Sequence, residues 1–293
     1  MEHPPTHPEK SVWGDRVQRG SYLTYLTASF GQMLIMILRQ NRLILVSIIT
    51  MLPVTIPLAV AFLTKSAFAD DGRVIFVRMM EEAHINTLAP LLSLFFASML
   101  VGEDVEMQTL PYVLTRPQPR SAWLLGRFAA YLLTAGTILT ASIALCFLAC
   151  TALAGLHANN TDDLLLMAQY AGVGFLALVA YGALAALLGA YTKRPIVYGV
   201  LLLYGWQRFA LIIPGLIDFM TIQKYTDTLL PKLATSSSRR IIQTALGDYS
   251  KEVFEVSAQS ALLTIGVVTV VMLALCIHAV RHREYAANRA AGT

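Results

Sequence analysis

The sequence predicts an all-α polytopic membrane protein with six transmembrane helices. Three observations carry this. First, 56% of the 293 residues are hydrophobic and only 14% are charged, where a soluble domain carries about 25% charged residues. Mean hydropathy is +0.59. Second, long runs free of Asp, Glu, Lys and Arg recur along the chain, and about 20 apolar residues suffice to cross the hydrocarbon core. Third, the longest stretches outside these runs are about 40 residues, too short to fold unaided as a catalytic domain. The 3 cysteines can form neither a disulfide framework nor a four-thiolate zinc site. A net charge of +4 in such a chain reflects basic cytoplasmic loops, and no nucleic-acid partner is expected.

Residues 1–20 are polar or mixed in character, proline-rich at their start, and read as a flexible cytoplasmic N-terminus. Across residues 21–42, Leu23, Leu26, Phe30, Leu34, Ile37 and Leu38 recur at three or four, with Ser29, Gln32, Arg39 and Gln40 elsewhere. That pattern predicts an amphipathic elbow helix at the membrane interface. A six-helix transmembrane domain follows over 43–281. Its spans are expected at 43–63, 85–101, 123–156, 164–192, 195–217 and 256–280. Pro53 and Pro57 fall in the first span, where neighbouring helices can satisfy the freed carbonyls. The third and fourth exceed the bilayer and should tilt or project. Residues 218–255 form an outer loop. Within it, Ser236 to Ser238, then Ile241, Ile242, Ala245 and Leu246, then Gly247 carry helix start and stop signals. Residues 282–293 are a cytoplasmic tail, and no signal peptide is expected.

An even number of spans places both termini on one side, and Lys and Arg decide which. Of the 22 basic residues, thirteen fall on the side of the termini, eight on the other, and Arg208 within a span. Both termini are therefore expected in the cytoplasm, across the inner membrane of a prokaryote. No phosphate-binding loop, dinucleotide fingerprint, zinc-protease motif or serine nucleophile elbow occurs. Glu81 and His84 make a single Glu-x-x-His, read as the edge of a loop. No span interior is expected to hold Asp or Glu. His278 and His282 read as interfacial residues, and Cys146 and Cys150 as small buried apolar ones. No metal site, catalytic residue or bound cofactor is expected.

One segment carries more information than the rest. Residues 102–127 read GEDVEMQTLPYVLTRPQPRSAWLLGR. Glu103, Asp104 and Glu106 form a negative cluster where the second span ends. Thr109 is a good N-cap, and Pro111 is tolerated in a first helical turn. Leu110, Val113 and Leu114 then share a face. Pro117 stops the helix because the residue before a proline is pushed out of the helical region. Arg116 and Arg120 flank the break, and Ser121 caps the next helix. The segment is therefore a short helix with an apolar face between charged ends.

This segment resembles the first cytoplasmic loop of type-2 ATP-binding-cassette (ABC-2) exporter permeases. That loop typically reads E-R-G-T-L-x-x-L-L-x-R-P-x-x-R, followed by a span entered through a Gly-Lys or Gly-Arg pair. Glu106, Thr109, Leu110, Val113, Leu114, Arg116, Pro117, Arg120, Gly126 and Arg127 fall on the corresponding positions, while Met107, Gln108 and Pro111 depart from the pattern. The resemblance covers about twenty-five residues and implies a function for the whole chain. The short helix is implied to be a coupling helix that docks on a separate ATPase subunit. Leu110, Val113 and Leu114 would be buried there, with Glu103, Glu106, Thr109, Arg116, Pro117 and Arg120 at its rim or fixing its shape. Two copies of that subunit would bind ATP and Mg, and a second permease protomer would complete the exporter. The chain itself would not be an enzyme.

Two features lie outside the motif. Gly182, Ala186 and Ala190 are spaced by four with Gly189 beside them, a helix-packing stripe that serves within the chain or between protomers. Arg208 is a base within a span, and contacts either a transport pathway or lipid. The alternatives to an exporter subunit are an ion-coupled secondary transporter, which needs paired intramembrane acids, and a non-transporting membrane scaffold.

Overall fold

The computed structural model describes residues 21–63, 72–106, 119–153, 156–192, 194–212, 219–231, 239–244, 247–252 and 256–282. Helix α1 (Tyr22–Leu38) and α2 (Asn41–Leu63) are separated only by Arg39 and Gln40. Ser29, Met33 and Ile37, each four apart, are the buried face of α1. Both prolines of α2 sit inside a helix that continues past them. Much of α2 is exposed on an apolar surface of Ile44, Leu45, Ile48, Leu52 and Ile56, as lipid-facing helices require.

The second span is longer than its uncharged run. α3 (Gly72–Arg78), a π-helical stretch (Met79–Leu88), α4 (Ala89–Ala97) and α5 (Met99–Glu106) follow one another, with a single turn residue at Ser98. The expected start at residue 85 is therefore corrected: Arg73, Arg78, Glu81 and Glu82 lie within the helical run and do not end it. Arg73, Arg78 and Glu82 are on the exposed side of the run and Glu81 is half-buried, while 72% of the apolar window of this central helix is buried. Two side chains in the π-helical stretch reach carbonyls five residues back. Thr87 Oγ1 donates to Glu82 O at 2.8 Å, and His84 Nδ1 lies 3.1 Å from Met79 O.

α6 (Arg120–Cys150) and α7 (Thr161–Tyr191) are each 31 residues, about 46 Å. Asn160 caps α7 by accepting from Asp162 N at 3.3 Å. Pro195 opens α8 (Pro195–Val200), which runs through a second π-helical stretch (Leu201–Trp206) into α9 (Gln207–Ile212). α10 (Ile222–Leu229) is capped by Thr221, whose hydroxyl accepts from Lys224 N at 3.3 Å. α11 (Ala258–His282) is the last helix.

Between α10 and α11 the chain forms a hairpin rather than the expected helix. β1 (Arg239–Thr244) pairs antiparallel with β2 (Gly247–Glu252), in register from Arg239↔Glu252 to Thr244↔Gly247. Ile241, Ile242 and Thr244 are β-branched and favour a strand. Gly247 thus opens β2, paired with Thr244, and is not a helix cap.

Among the described residues, five helices are long and apolar enough to cross a membrane: Asn41–Ala59, Gly72–Gly102, Arg120–Cys150, Thr161–Tyr191 and Ala258–Val280. The apolar helix Pro195–Trp206 is shorter, about 18 Å at 1.5 Å per residue. The core sits where the central helix meets α6 and α7. Phe76 packs edge-on against Phe147 (5.5 Å) and Tyr170 (5.8 Å), joining the three.

Candidate functional site

The two ends of the information-bearing segment meet at the base of α6. α5 ends at Glu106 and α6 begins at Arg120. Glu103 continues α5 in backbone. Thr109, Leu110, Val113, Leu114, Arg116 and Pro117 lie outside the described residues. What the structure describes is the frame that holds them.

Gly126 and Arg127 build that frame. α1 runs beside α6 in the same direction, with Tyr22 Oη donating to Ser121 Oγ at 3.3 Å near the start of both. A Cβ on Gly126 would fall on the Leu26 carbonyl oxygen, 3.0 Å from Ser29 Cβ and 3.1 Å from Phe30 N. The absent side chain is what lets the two backbones touch. Arg127 is 1% exposed. Its Nη1 donates to Leu100 O of α5 at 2.8 Å, and its guanidinium lies 4.3 Å from the centre of the Trp123 ring. A buried guanidinium is tolerated when hydrogen-bonded and stacked in this way. Arg120 Nη1 donates to Val280 O near the end of α11 at 3.2 Å. So α1, α5 and α11 are all fastened to the first two turns of α6. Arg127 was visible in the sequence only as half of a Gly-Arg pair. Its burial depends on Trp123 and on Leu100, 27 residues away.

The small-residue stripe of α7 packs within the chain. Gly182 faces the ring of Tyr131 on α6, whose hydroxyl donates to Leu178 O at 2.8 Å. Ser93 Oγ of α4 is 2.8 Å from the same hydroxyl. A Cβ on Gly189 would fall on the Ser98 carbonyl. The Ala186 carbonyl accepts from Cys276 Sγ of α11 at 3.6 Å, and Ala190 is buried. Three helices and the Ser98 turn thus close on one face of α7. Arg208 lies in α9, and its side chain is outside the described residues.

His84 is the polar residue that the sequence reading misplaced. It is fully buried, not at the edge of a loop. Its Nε2 is 3.0 Å from Ser142 Oγ of α6, which donates to Thr50 O of α2 at 2.7 Å. With the hydroxyl hydrogen on Thr50 O, Nε2–H donates to Ser142 in one neutral tautomer, and in that tautomer Nδ1 carries no hydrogen for Met79 O. One chain of hydrogen bonds therefore ties the central helix to α6 and α2. The isolated Glu-x-x-His offered no signal for it, because Ser142 and Thr50 are far away in sequence. Among the described residues, no three His, Cys, Asp or Glu side chains are placed to share a metal ion.

These features define a helical, multi-pass membrane protein in which a polar frame gathers several helices at one end. A family model described as protein of unknown function (DUF2705) matches residues 33–286, and the chain belongs to that family. No curated protein matches it.

Proposed function

We propose that the chain is the membrane-spanning subunit of an ABC-2 type exporter, paired with a second permease protomer and two copies of a separate ATPase. The observation that carries this reading is the pattern of residues 102–127, with Glu106, Thr109, Leu110, Leu114, Arg116, Pro117 and Arg120 in family register. Its setting adds support. A lever between α5 and α6 transmits motion only if its ends are gripped, and Arg127, Gly126 and Arg120 grip them. In this reading α1 is the elbow helix and the chain from Pro195 to residue 217 is a fifth of six spans. The coupling helix that the sequence implies between Thr109 and Pro117 would lie in the cytoplasm, beside both termini. ATP and Mg act on the partner. Closure of its two copies pushes the lever, and α1, α5 and α11 move with the base of α6 between discrete packings.

Tagged full-length chain, solubilised from its native membrane, should copurify an ABC-type ATPase that mass spectrometry identifies. The double substitution L114D/R116D should abolish that copurification while leaving the chain folded in the membrane. Wild-type chain that brings down no such ATPase, or a double variant that retains it, overturns the assignment.

An ion-coupled transporter is the second reading. It is favoured by Glu81 and Glu82 lying within the second membrane helix, next to buried His84. ATP-independent, proton-dependent transport in vesicles holding this chain alone would select it.

A further inference from the structure

We propose that the groove along the first half of α7 binds one zwitterionic phospholipid, headgroup at the start of α7 and acyl chain beside α11. Two cavities adjoin there. One, about 250 Å³, is lined by Arg73 of α3, by Asp162, Leu166 and Gln169 of α7, and by Pro231. The other, about 550 Å³, is lined by Gln169, Gly172, Val173 and Leu176 of α7, and by Leu229 and Leu262. They share Gln169 and Pro231, so they form one groove with a charged end and an apolar length.

Its chemistry and dimensions fit one occupant. Arg73 and Asp162 line the same end and offer a base for a phosphate and an acid for an amine. From Asp162 to Leu176 the helix rises about 21 Å. One leaflet, headgroup included, is about 20–22 Å deep. The groove thus runs from headgroup level to the bilayer midplane. Its wall is fixed, because Tyr170 Oη donates to Pro231 O at 3.2 Å. Along its apolar length it opens outward at an exposed glycine. On α7, Gly174, Gly182 and Gly189 press against neighbouring atoms, whereas a Cβ on Gly172 would meet nothing within 4 Å. Gly172 therefore leaves space without serving helix contact. The inference rests on α7 crossing the bilayer and not on the coupling assignment.

The test uses the full chain in nanodiscs of phosphatidylethanolamine or phosphatidylglycerol, released into native mass spectrometry after detergent washing. Wild-type chain should keep one phosphatidylethanolamine. Gly172→Phe, which fills the groove, should lower the lipid-bound fraction about tenfold, or about 1.4 kcal/mol. Leu262→Trp fills it from α11 and should do the same, which guards against misfolding of the first variant. Gly31→Phe places an equal ring in open space on α1 and should leave binding unchanged. No retained lipid, equal retention of phosphatidylglycerol, or full retention by both groove-filling variants overturns the proposal.

Discussion

The contact between α1 and α6 predicts that one substitution has opposite effects at two glycines. At Gly126 an alanine Cβ would overlap the Leu26 carbonyl oxygen and stand 3.0 Å from Ser29 Cβ and 3.1 Å from Phe30 N. Ordinary contacts between carbon atoms lie at about 3.5–4.0 Å. The obstacle is mostly backbone, so no rotamer change relieves it, and α1 must move away from α6. Overpacking of this kind costs about 1–3 kcal/mol. A value of about 2 kcal/mol lowers the melting temperature of a chain this size by roughly 4–8 °C. At Gly31, on α1, a Cβ meets nothing within 4 Å. There alanine only removes the conformational freedom of glycine and should stabilise by about 0.5–1 kcal/mol. Thermal unfolding of the two variants in one detergent, followed by monodispersity, measures both. If Gly126→Ala melts at or above the wild-type temperature, the close approach of the two helices is not what Gly126 provides.

Three further outcomes follow from the polar contacts. Gly182→Ala pushes the Tyr131 ring off Leu178 O and should cost about 1–3 kcal/mol; combined with the shorter Tyr131→Leu it should cost less than the sum, with a coupling of about 1 kcal/mol in a double-mutant cycle of unfolding. Ser142→Ala strips His84 Nε2 of its partner in the bundle and should destabilise by about 1–3 kcal/mol, which steepens the loss of fold with added sodium dodecyl sulfate; no change would mean that the chain of hydrogen bonds to α2 carries no stability. Arg127→Lys keeps the charge but loses the planar stack on Trp123, so it should lower expression and melting temperature more than Arg120→Ala, which removes one half-buried hydrogen bond to Val280 O; equal effects would discount the buried frame.

Part of this protein is readable from its sequence because lipid makes a demand on every residue of a spanning helix. The runs starting near Leu43, Phe128, Leu164 and Val256 each correspond to an observed apolar helix. The fourth helix, Thr161–Tyr191, starts and ends within three residues of the expected 164–192, while the third, Arg120–Cys150, ends six residues before the expected 156. The same rule misjudged the second, because it treated Arg73, Arg78, Glu81 and Glu82 as boundaries. The helix carries on through these residues with Arg73, Arg78 and Glu82 on its exposed side, so a charge marks where an uncharged run stops and not where a helix does. The hairpin at 239–252 was misread for a related reason. Its capping signals are local, whereas strand pairing joins Arg239 to Glu252, thirteen residues apart.

The candidate site divides along the same line. Residue types at fixed spacing marked out the segment 102–127, and with it Gly126 and Arg127. That Gly126 admits the backbone of α1, that Arg127 is buried on Leu100, and that His84 reaches Thr50 through Ser142 were decided by the fold alone. Hydrophobic patterning constrains each helix separately, since it depends on the solvent around that helix. A buried polar contact depends on which distant helix supplies the second partner, and that choice exists only once the bundle has closed.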